Sequence, residues 1–141
     1  MIDKNLIQRK LAKMSEYLTQ LEVVASKSLD EYKEDHFYRY STERLIQLIV
    51  ECAIDINNHI VVESEKKPPE DYRSSFSGVS RLGVITQDLL DKIKGSASLR
   101  NILVHDYMDI DDDIVYQSIP QTVSSYHEYM RQVFAFLVNE S

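Results

Sequence analysis

The sequence predicts an all-α fold, a bundle of four or five helices. Apolar residues recur at alternating spacings of three and four over long stretches, and only three glycines and three prolines occur among the 141 residues. No run of four to eight residues alternates apolar and polar side chains between turn signals, as a half-buried strand would. The length suits a single hydrophobic core, so we expect residues 1–141 to form one domain.

Two long helices are predicted in the first half of the chain. Asp3 can cap the first, and Ser41 or Thr42 can cap the second after an acidic connector, SLDEYKED. The second helix is apolar around most of its circumference between Leu45 and Val62, so it should lie at the centre of the bundle. The first helix has a narrower apolar seam, formed by Ile7, Leu11, Met14, Leu18, Leu21 and Ala25.

Proline and glycine divide the middle of the chain into short helices. The consecutive prolines of SEKKPPE break the second helix, and Pro69 can occupy the first turn of a short helix that ends at Gly83. Thr86 can cap the next helix, which should end at Gly95, and Ser96 can cap the helix SASLRNILVH.

The final predicted helix has an apolar seam between Val115 and Leu137. Pro120 lies near its beginning. Because proline lacks a backbone N–H and clashes with the preceding turn, it must either kink this helix or mark its true start.

The composition limits the partners and the location of the protein. A net charge of −7 argues against non-specific binding of nucleic acid, so any RNA site must be a local basic patch. The single Cys52 excludes a disulfide within the chain, and we find neither a signal peptide nor an uninterrupted apolar run of membrane-spanning length. We therefore expect a cytoplasmic protein that binds no membrane. The candidate basic patch comprises Lys66, Lys67, Arg73, Arg81, Lys92, Lys94 and Arg100.

A polar stripe follows the second helix, at Glu51, Asp55, Asn58 and His59. The stripe is equally well explained as the solvent face of the helix, with His59 as a satisfied histidine, or as a functional cluster. A carboxylate and a histidine one turn apart can bind a metal, but without a second cluster of ligands the signal is weak. We expect no metal and no cofactor.

The segment RNILVHDY contains the most specific group of polar residues. On a regular helix Arg100 and Tyr107 lie within roughly 20° of each other, whereas His105 is displaced from Arg100 by roughly 140°. The two could meet if the helix frays near Val104 or if a second subunit contributes one of them. Arginine binds phosphate through paired hydrogen bonds, and histidine can accept or donate a proton near neutral pH. Together they suffice for phosphodiester cleavage without a metal.

A structural explanation of the same segment stays open. Arg100 could form a salt bridge with Asp106, Asp109 or Asp111, and His105 could cap the helix C-terminus, where its positive charge is favoured. Short Arg/His motifs have many accidental matches.

The spacing of Arg, His and Tyr in RNILVHDY resembles the signature of the HEPN superfamily, specifically of HepT-type toxins of toxin–antitoxin modules. The similarity extends over nearly the whole chain, including the helix ECAIDINNHIVVE and the connector PPEDYRSSF. It implies a HEPN-like helical bundle that acts as a metal-independent ribonuclease, with a composite site between the protomers of a homodimer or higher oligomer. The implied substrate is RNA, with tRNA among the candidates.

The resemblance also implies roles for individual residues. Arg100 and His105 correspond to the catalytic pair, and Asn101 to the polar residue that often follows the arginine. Asp55, or the neighbouring Glu51, resembles the supporting polar position on the preceding long helix. Tyr107 corresponds to the tyrosine that a minimal nucleotidyltransferase antitoxin modifies with AMP, which would silence the toxin.

The alternative from another functional class is a non-catalytic helical module, in which RNILVHDY forms an interface with a second copy or with a nucleotidyltransferase partner. A nucleotide-binding role has less support, because the sequence contains no Gly-rich phosphate loop.

Overall fold

The computed structural model describes residues 1–140 and contains helices but no strand in that range, so the all-α prediction is confirmed. The seven α-helices in this range outnumber the four or five expected: the three short helices predicted in the middle of the chain all form, and the acidic connector is helical as well. They are α1 (Lys4–Ala25), α2 (Leu29–Glu34), α3 (His36–Glu65), α4 (Tyr72–Arg81), α5 (Gln87–Ile93), α6 (Gly95–His105) and α7 (Asp112–Asn139). A 3₁₀ turn spans Tyr107–Asp109. The single-domain expectation for residues 1–141 stays a prediction, and Ser141 lies outside the described residues.

Helix α3 is the centre of the bundle, as its apolar circumference predicts. Helices α1, α2, α4, α6 and α7 all pack against it, and one continuous hydrophobic core joins the elements. By length and composition α3 could also cross a membrane, but 56% of its most apolar window is buried inside the bundle. Its apolar residues therefore serve the core of this structure.

Side-chain caps explain where several helices begin. Asp3 accepts from the backbone N–H of Leu6 at 3.0 Å, and Thr86 caps α5, so both predicted caps are confirmed. The predicted cap of α3 at Ser41 or Thr42 is wrong. Asp35 caps α3 six residues earlier, and both predicted residues lie inside the helix.

The acidic connector forms helix α2 because its first four residues make a capping box. The Glu31 N–H donates to the Ser28 hydroxyl at 3.1 Å, and the Ser28 N–H donates to the Glu31 carboxylate at 2.9 Å. Helix α2 also buries Tyr32 completely, with its ring 5.3 Å from that of Tyr116 in α7. The capped N–H groups and the buried Tyr32 ring together stabilise this six-residue helix.

Helix α4 begins later than predicted. Asp71 caps it by accepting from the Ser74 N–H at 2.7 Å, and Pro69 lies outside the helix rather than in its first turn. The predicted end at Gly83 is confirmed, because this glycine has a φ of +80° and lies just past the last helical residues.

The junction between α5 and α6 differs from the prediction. Gly95 is the first residue of α6 rather than a stop after α5, and Ser96 does not cap α6. The Ser96 hydroxyl instead donates to the carbonyl of Ile93 at 2.6 Å, which holds the two helices in close succession.

Pro120 lies inside α7, which begins at Asp112. The alternative that the proline marks the start of this helix is therefore wrong. Asp111 caps α7 instead, accepting from the N–H groups of Asp113 and Ile114.

A buried polar link joins three helices beneath the candidate site. Asn57 in α3 is fully buried and donates to the Ser75 hydroxyl in α4 at 3.3 Å. The Tyr129 hydroxyl in α7 donates to the Asn57 side-chain oxygen at 2.6 Å. Because buried polar groups are costly unless paired, this link fixes α4 and α7 relative to α3.

Candidate active site

Arg100 in α6 faces α3 and is paired with Glu51. Its Nε and Nη2 atoms donate to one oxygen of the Glu51 carboxylate, at 3.1 and 2.7 Å. The Arg100 side chain is only 11% exposed, whereas that of Glu51 is 32% exposed. The expected alternative, a salt bridge from Arg100 to an aspartate of the following turn, is therefore wrong.

Two further contacts hold the Arg100 guanidinium. Its Nη1 atom donates to the Asn101 side-chain oxygen at 3.2 Å, and its central carbon lies 4.9 Å from the centre of the Tyr72 ring. The hydrogen bonds leave two of the five N–H groups of a guanidinium for an anion. Arg100 is thus held in one orientation before any ligand arrives.

The pKa of Glu51 reflects this pairing. Burial alone would raise the pKa of this carboxyl, but hydrogen bonds from Arg100 and Gln47 outweigh burial, and the net pKa lies below its ordinary value. Glu51 therefore remains charged, and the ion pair persists, throughout the neutral pH range.

His105 is the last residue of α6 and is exposed. Its imidazole forms no hydrogen bond within residues 1–140, to Arg100 or to any other residue. It lines a cleft of about 330 Å³ whose other lining residues are Asp71, Tyr72, Asn101 and Asp106. Because Tyr72 and Asn101 also contact Arg100, the guanidinium lies beside this cleft.

Tyr107 lies beyond the end of α6. Asp106 leaves the helical conformation, with φ −117° and ψ 36°, and Tyr107 then begins the 3₁₀ turn. The expectation that Tyr107 shares a helix face with Arg100 is therefore wrong. Tyr107 is 67% exposed, which leaves its hydroxyl open to solvent.

The polar stripe of α3 contacts two different neighbours. Glu51 reaches Arg100 in α6, whereas the Asp55 carboxylate pairs with Lys10 in α1 at 2.9 Å. His59 accepts a hydrogen bond from the Asp3 backbone at 2.8 Å. The stripe is thus a half-exposed face divided between α1 and α6, and within one protomer Asp55 makes no hydrogen bond to Arg100.

Within residues 1–140 no three His, Cys, Asp or Glu side chains come together in a way that could hold a metal ion. Cys52 is buried and unpaired.

Ion pairs neutralise much of the expected basic patch. Apart from Arg100 itself, the cation beside the site is Arg73, which follows Tyr72 in the sequence and whose guanidinium is 3.5 Å from the Ser98 hydroxyl of α6. Four others are paired with carboxylates. These pairs are Arg81 with Glu65, Lys92 with Asp88, Lys94 with Asp91 and Arg100 with Glu51.

Tyr72 was not identified from the sequence as a site residue. The sequence spacing places Tyr72, Phe76 and Val79 on one side of the short helix that ends at Gly83, as three apolar residues of the same kind. In the structure Phe76 and Val79 are fully buried, but Tyr72 is 39% exposed. One feature of the sequence could have identified Tyr72: it directly follows Asp71, a suitable helix cap. The first residue of a helix lies at the edge of the bundle, where its side chain is only partly buried.

Comparison with known proteins is consistent with this geometry. The family model described as "Ribonuclease HepT-like" matches residues 14–133. The chain is 35% identical over 139 residues to the tRNA nuclease HepT of Aphanizomenon flos-aquae, covering 97% of this chain and 93% of that protein. It is 32% identical over 100 residues to the mRNA nuclease HepT of Shewanella oneidensis, covering 71% and 75%.

A solved structure has the same arrangement of helices. It is a tri-AMPylated HEPN toxin of Shewanella oneidensis in complex with an MNT antitoxin. The TM-score is 0.84 at 28% identity, and the match covers 94% of this chain and 99% of the other.

Proposed function

Because this chain belongs to the HepT-like family of ribonucleases, we propose that it is a toxin that cleaves RNA with Arg100 and His105, without a metal ion, and that a nucleotidyltransferase antitoxin silences it. The observation that carries the proposal is the cleft beside Arg100. The His105 imidazole lines that cleft and makes no hydrogen bond within residues 1–140. Tyr72 and Asn101 also line the cleft, and both contact the Arg100 guanidinium. The substrate is RNA, as it is for the two HepT relatives.

The proposed chemistry needs one proton acceptor, one proton donor and one fixed positive charge. His105 takes the proton of a ribose 2′-hydroxyl, the 2′-oxygen attacks phosphorus, and the bond to the 5′-oxygen breaks as that oxygen gains a proton. Arg100 stabilises the charge on the phosphorane oxygens. Glu51 acts through Arg100 and positions its guanidinium, a role we assign to it in preference to Asp55.

A homodimer would supply the second proton-transfer group. One protomer offers a single His105 at this cleft, and a second copy would bring another. The end of α6 and the turn after it support an interface there, because the apolar side chains of Ile102 and Met108 are 42% and 87% exposed, and exposed apolar groups are what a partner surface covers.

We also propose that Tyr107 receives AMP from the antitoxin and that the protein acts in the cytoplasm. The exposure of Tyr107 gives a nucleotidyltransferase access to the hydroxyl. An attached AMP would bring a negative charge and a bulky base within a few residues of His105, which would obstruct the entry of RNA.

The test is cleavage of total RNA and of purified tRNA in EDTA, with the product ends mapped. Removing a general acid–base group lowers a rate by about 10²- to 10⁴-fold, so His105→Ala should lose cleavage by about that factor. His36→Ala is the matched control, because His36 is also exposed but lines no part of this cleft.

A non-catalytic interaction module is the second candidate. The near-complete burial of Arg100 and its pairing with Glu51 are also what a purely structural ion pair would have. If a folded His105→Ala protein cleaves RNA as the parent does, His105 is not the catalytic histidine. If the unmodified parent cleaves nothing, the interaction module is the better description.

A further inference from the structure

Tyr72 points to a base-binding site next to the catalytic pair. We propose that the cleft holds a nucleobase adjacent to the cleaved phosphodiester, stacked on the ring of Tyr72. The proposal rests on the proposed function for the identity of the ligand, because it takes RNA as the substrate.

The position of the Tyr72 ring is the first argument. Its ring contacts the Arg100 guanidinium, whose central carbon is 4.9 Å from the ring centre, and its remaining exposed surface borders the cleft. At 39% exposure the residue leaves more surface uncovered than a core tyrosine such as Tyr129, which is fully buried. Aromatic rings exposed next to a phosphate-binding arginine are the usual platform for bases of single-stranded RNA.

The charge of the cleft is the second argument. Two of its five lining residues, Asp71 and Asp106, are carboxylates. They disfavour a phosphate inside the cleft, and they place the anionic part of the substrate on the Arg100 side. A neutral base with polar edges fits the cleft better, because Asn101 and the carboxylates can exchange hydrogen bonds with it.

The rigidity of Tyr72 is the third argument. The Asp71 cap fixes the start of α4, and the Ser75 hydroxyl donates to the Tyr72 carbonyl at 2.6 Å. Ser75 in turn accepts from the fully buried Asn57 of α3. The backbone below the ring is therefore tied to the core, and little conformational freedom is lost when a base stacks on it.

The experiment is a binding cycle with a short RNA carrying an abasic residue at each position in turn, measured with the parent protein, Tyr72→Phe and Tyr72→Leu. Loss of a stacked base corresponds to about a 5- to 100-fold loss of affinity. We expect Tyr72→Leu to weaken binding of the intact RNA by about that factor and Tyr72→Phe to retain binding. At one position, removing the base should weaken binding to the parent protein as much as Tyr72→Leu weakens binding of the intact RNA. The same abasic RNA should bind Tyr72→Leu no more weakly than the intact RNA does.

Two outcomes would overturn the proposal. If Tyr72→Leu loses the same affinity for intact RNA and for every abasic RNA, Tyr72 acts only by holding Arg100. If Tyr72→Leu binds intact RNA like the parent, the ring carries no base. The cycle is independent of cleavage, so a parent protein that shows the expected coupling but cuts no RNA would contradict the nuclease assignment and leave the base site supported.

Discussion

Glu43 is a half-buried carboxyl that the fold holds in an unfavourable environment. Burial raises its pKa, and the nearby Asp112 raises it further, while Arg39 partly opposes both. Arg39 also pairs with Asp112, at 3.7 Å, so it cannot compensate Glu43 fully. A carboxyl whose pKa is higher in the folded protein than in the unfolded chain destabilises the fold when it is charged.

We therefore expect Glu43→Gln to stabilise the protein at neutral pH, with a melting temperature higher by roughly 1–3 °C. The folded state binds the Glu43 proton more tightly, so the parent loses stability as the pH rises from the unfolded pKa through the folded one. The advantage of the variant should grow from about pH 4 to pH 7. Thermal unfolding of the parent and of Glu43→Gln over this pH range measures the difference in stability, and Glu16→Gln, at an exposed carboxyl, is the control. If Glu43→Gln were the more stable protein only at acid pH, the raised pKa of Glu43 would be contradicted.

At the scale of single residues the sequence identifies the site only in part. The motif gives Arg100 and His105 as the proposed catalytic pair, because their types and spacing suit phosphodiester cleavage. Residue spacing alone cannot show that Glu51 pairs with Arg100, because Glu51 lies 49 residues earlier and only the packing of α6 on α3 brings them together. The family resemblance names Glu51 only as the alternative to Asp55. Tyr72 was missed for a similar reason, since periodicity alone cannot distinguish a core aromatic from one at the rim.

Among the helices, those with one strong local signal were predicted well. Asp3 and Thr86 each precede a regular apolar pattern, and both are caps in the structure. The start of α3 was misplaced because Asp35 and Ser41 are both suitable caps, and the choice depends on how α2 docks. Helix α2 itself is too short for periodicity to reveal.

Gly78 of α4 lies in close contact with α3. A Cβ atom there would lie 2.8 Å from Cγ2 of Val61, a buried and β-branched residue with little rotamer freedom. Alanine is ordinarily the better helix former, by about 1 kcal/mol. At this position the steric clash should outweigh that gain.

We expect Gly78→Ala to lower the free energy of unfolding by about 1–2 kcal/mol in denaturant titrations. In a Val61→Ala background the same change should become neutral or stabilising, because the clashing methyl group is gone. Gly95→Ala, where a Cβ meets open space, is the control and should not destabilise. A loss that persists in the Val61→Ala background would show that the contact is not the cause.

For the whole molecule, the periodic pattern predicts the all-α class correctly, but charge counted along the sequence overestimates the basic surface. Four of the seven cations of the expected patch are paired with acidic neighbours in the fold. RNA binding by a protein of net charge −7 must then depend on few groups, of which Arg73 and Arg100 lie closest to the cleft.

Regulation by a partner also concerns the molecule as a whole. If AMP on Tyr107 silences the protein, Tyr107→Phe should cleave RNA like the parent but remain active after incubation with the nucleotidyltransferase antitoxin and ATP. Mass spectrometry should find added AMP on the parent and none on the variant. Tyr40→Phe is the control, because Tyr40 is 61% exposed on α3 and should leave silencing intact. Normal silencing of Tyr107→Phe would exclude this mechanism.

The position of α7 in the chain has a consequence for the synthesis of the protein. A growing chain leaves the ribosome from its N-terminus, so α1 and α3 emerge before the helix that packs against both of them. Only α7 brings Tyr129 to Asn57, and Asn57 holds Ser75 beneath the start of α4. The support beneath the cleft is therefore completed only after α7 has left the ribosome, later than the helices that line the cleft.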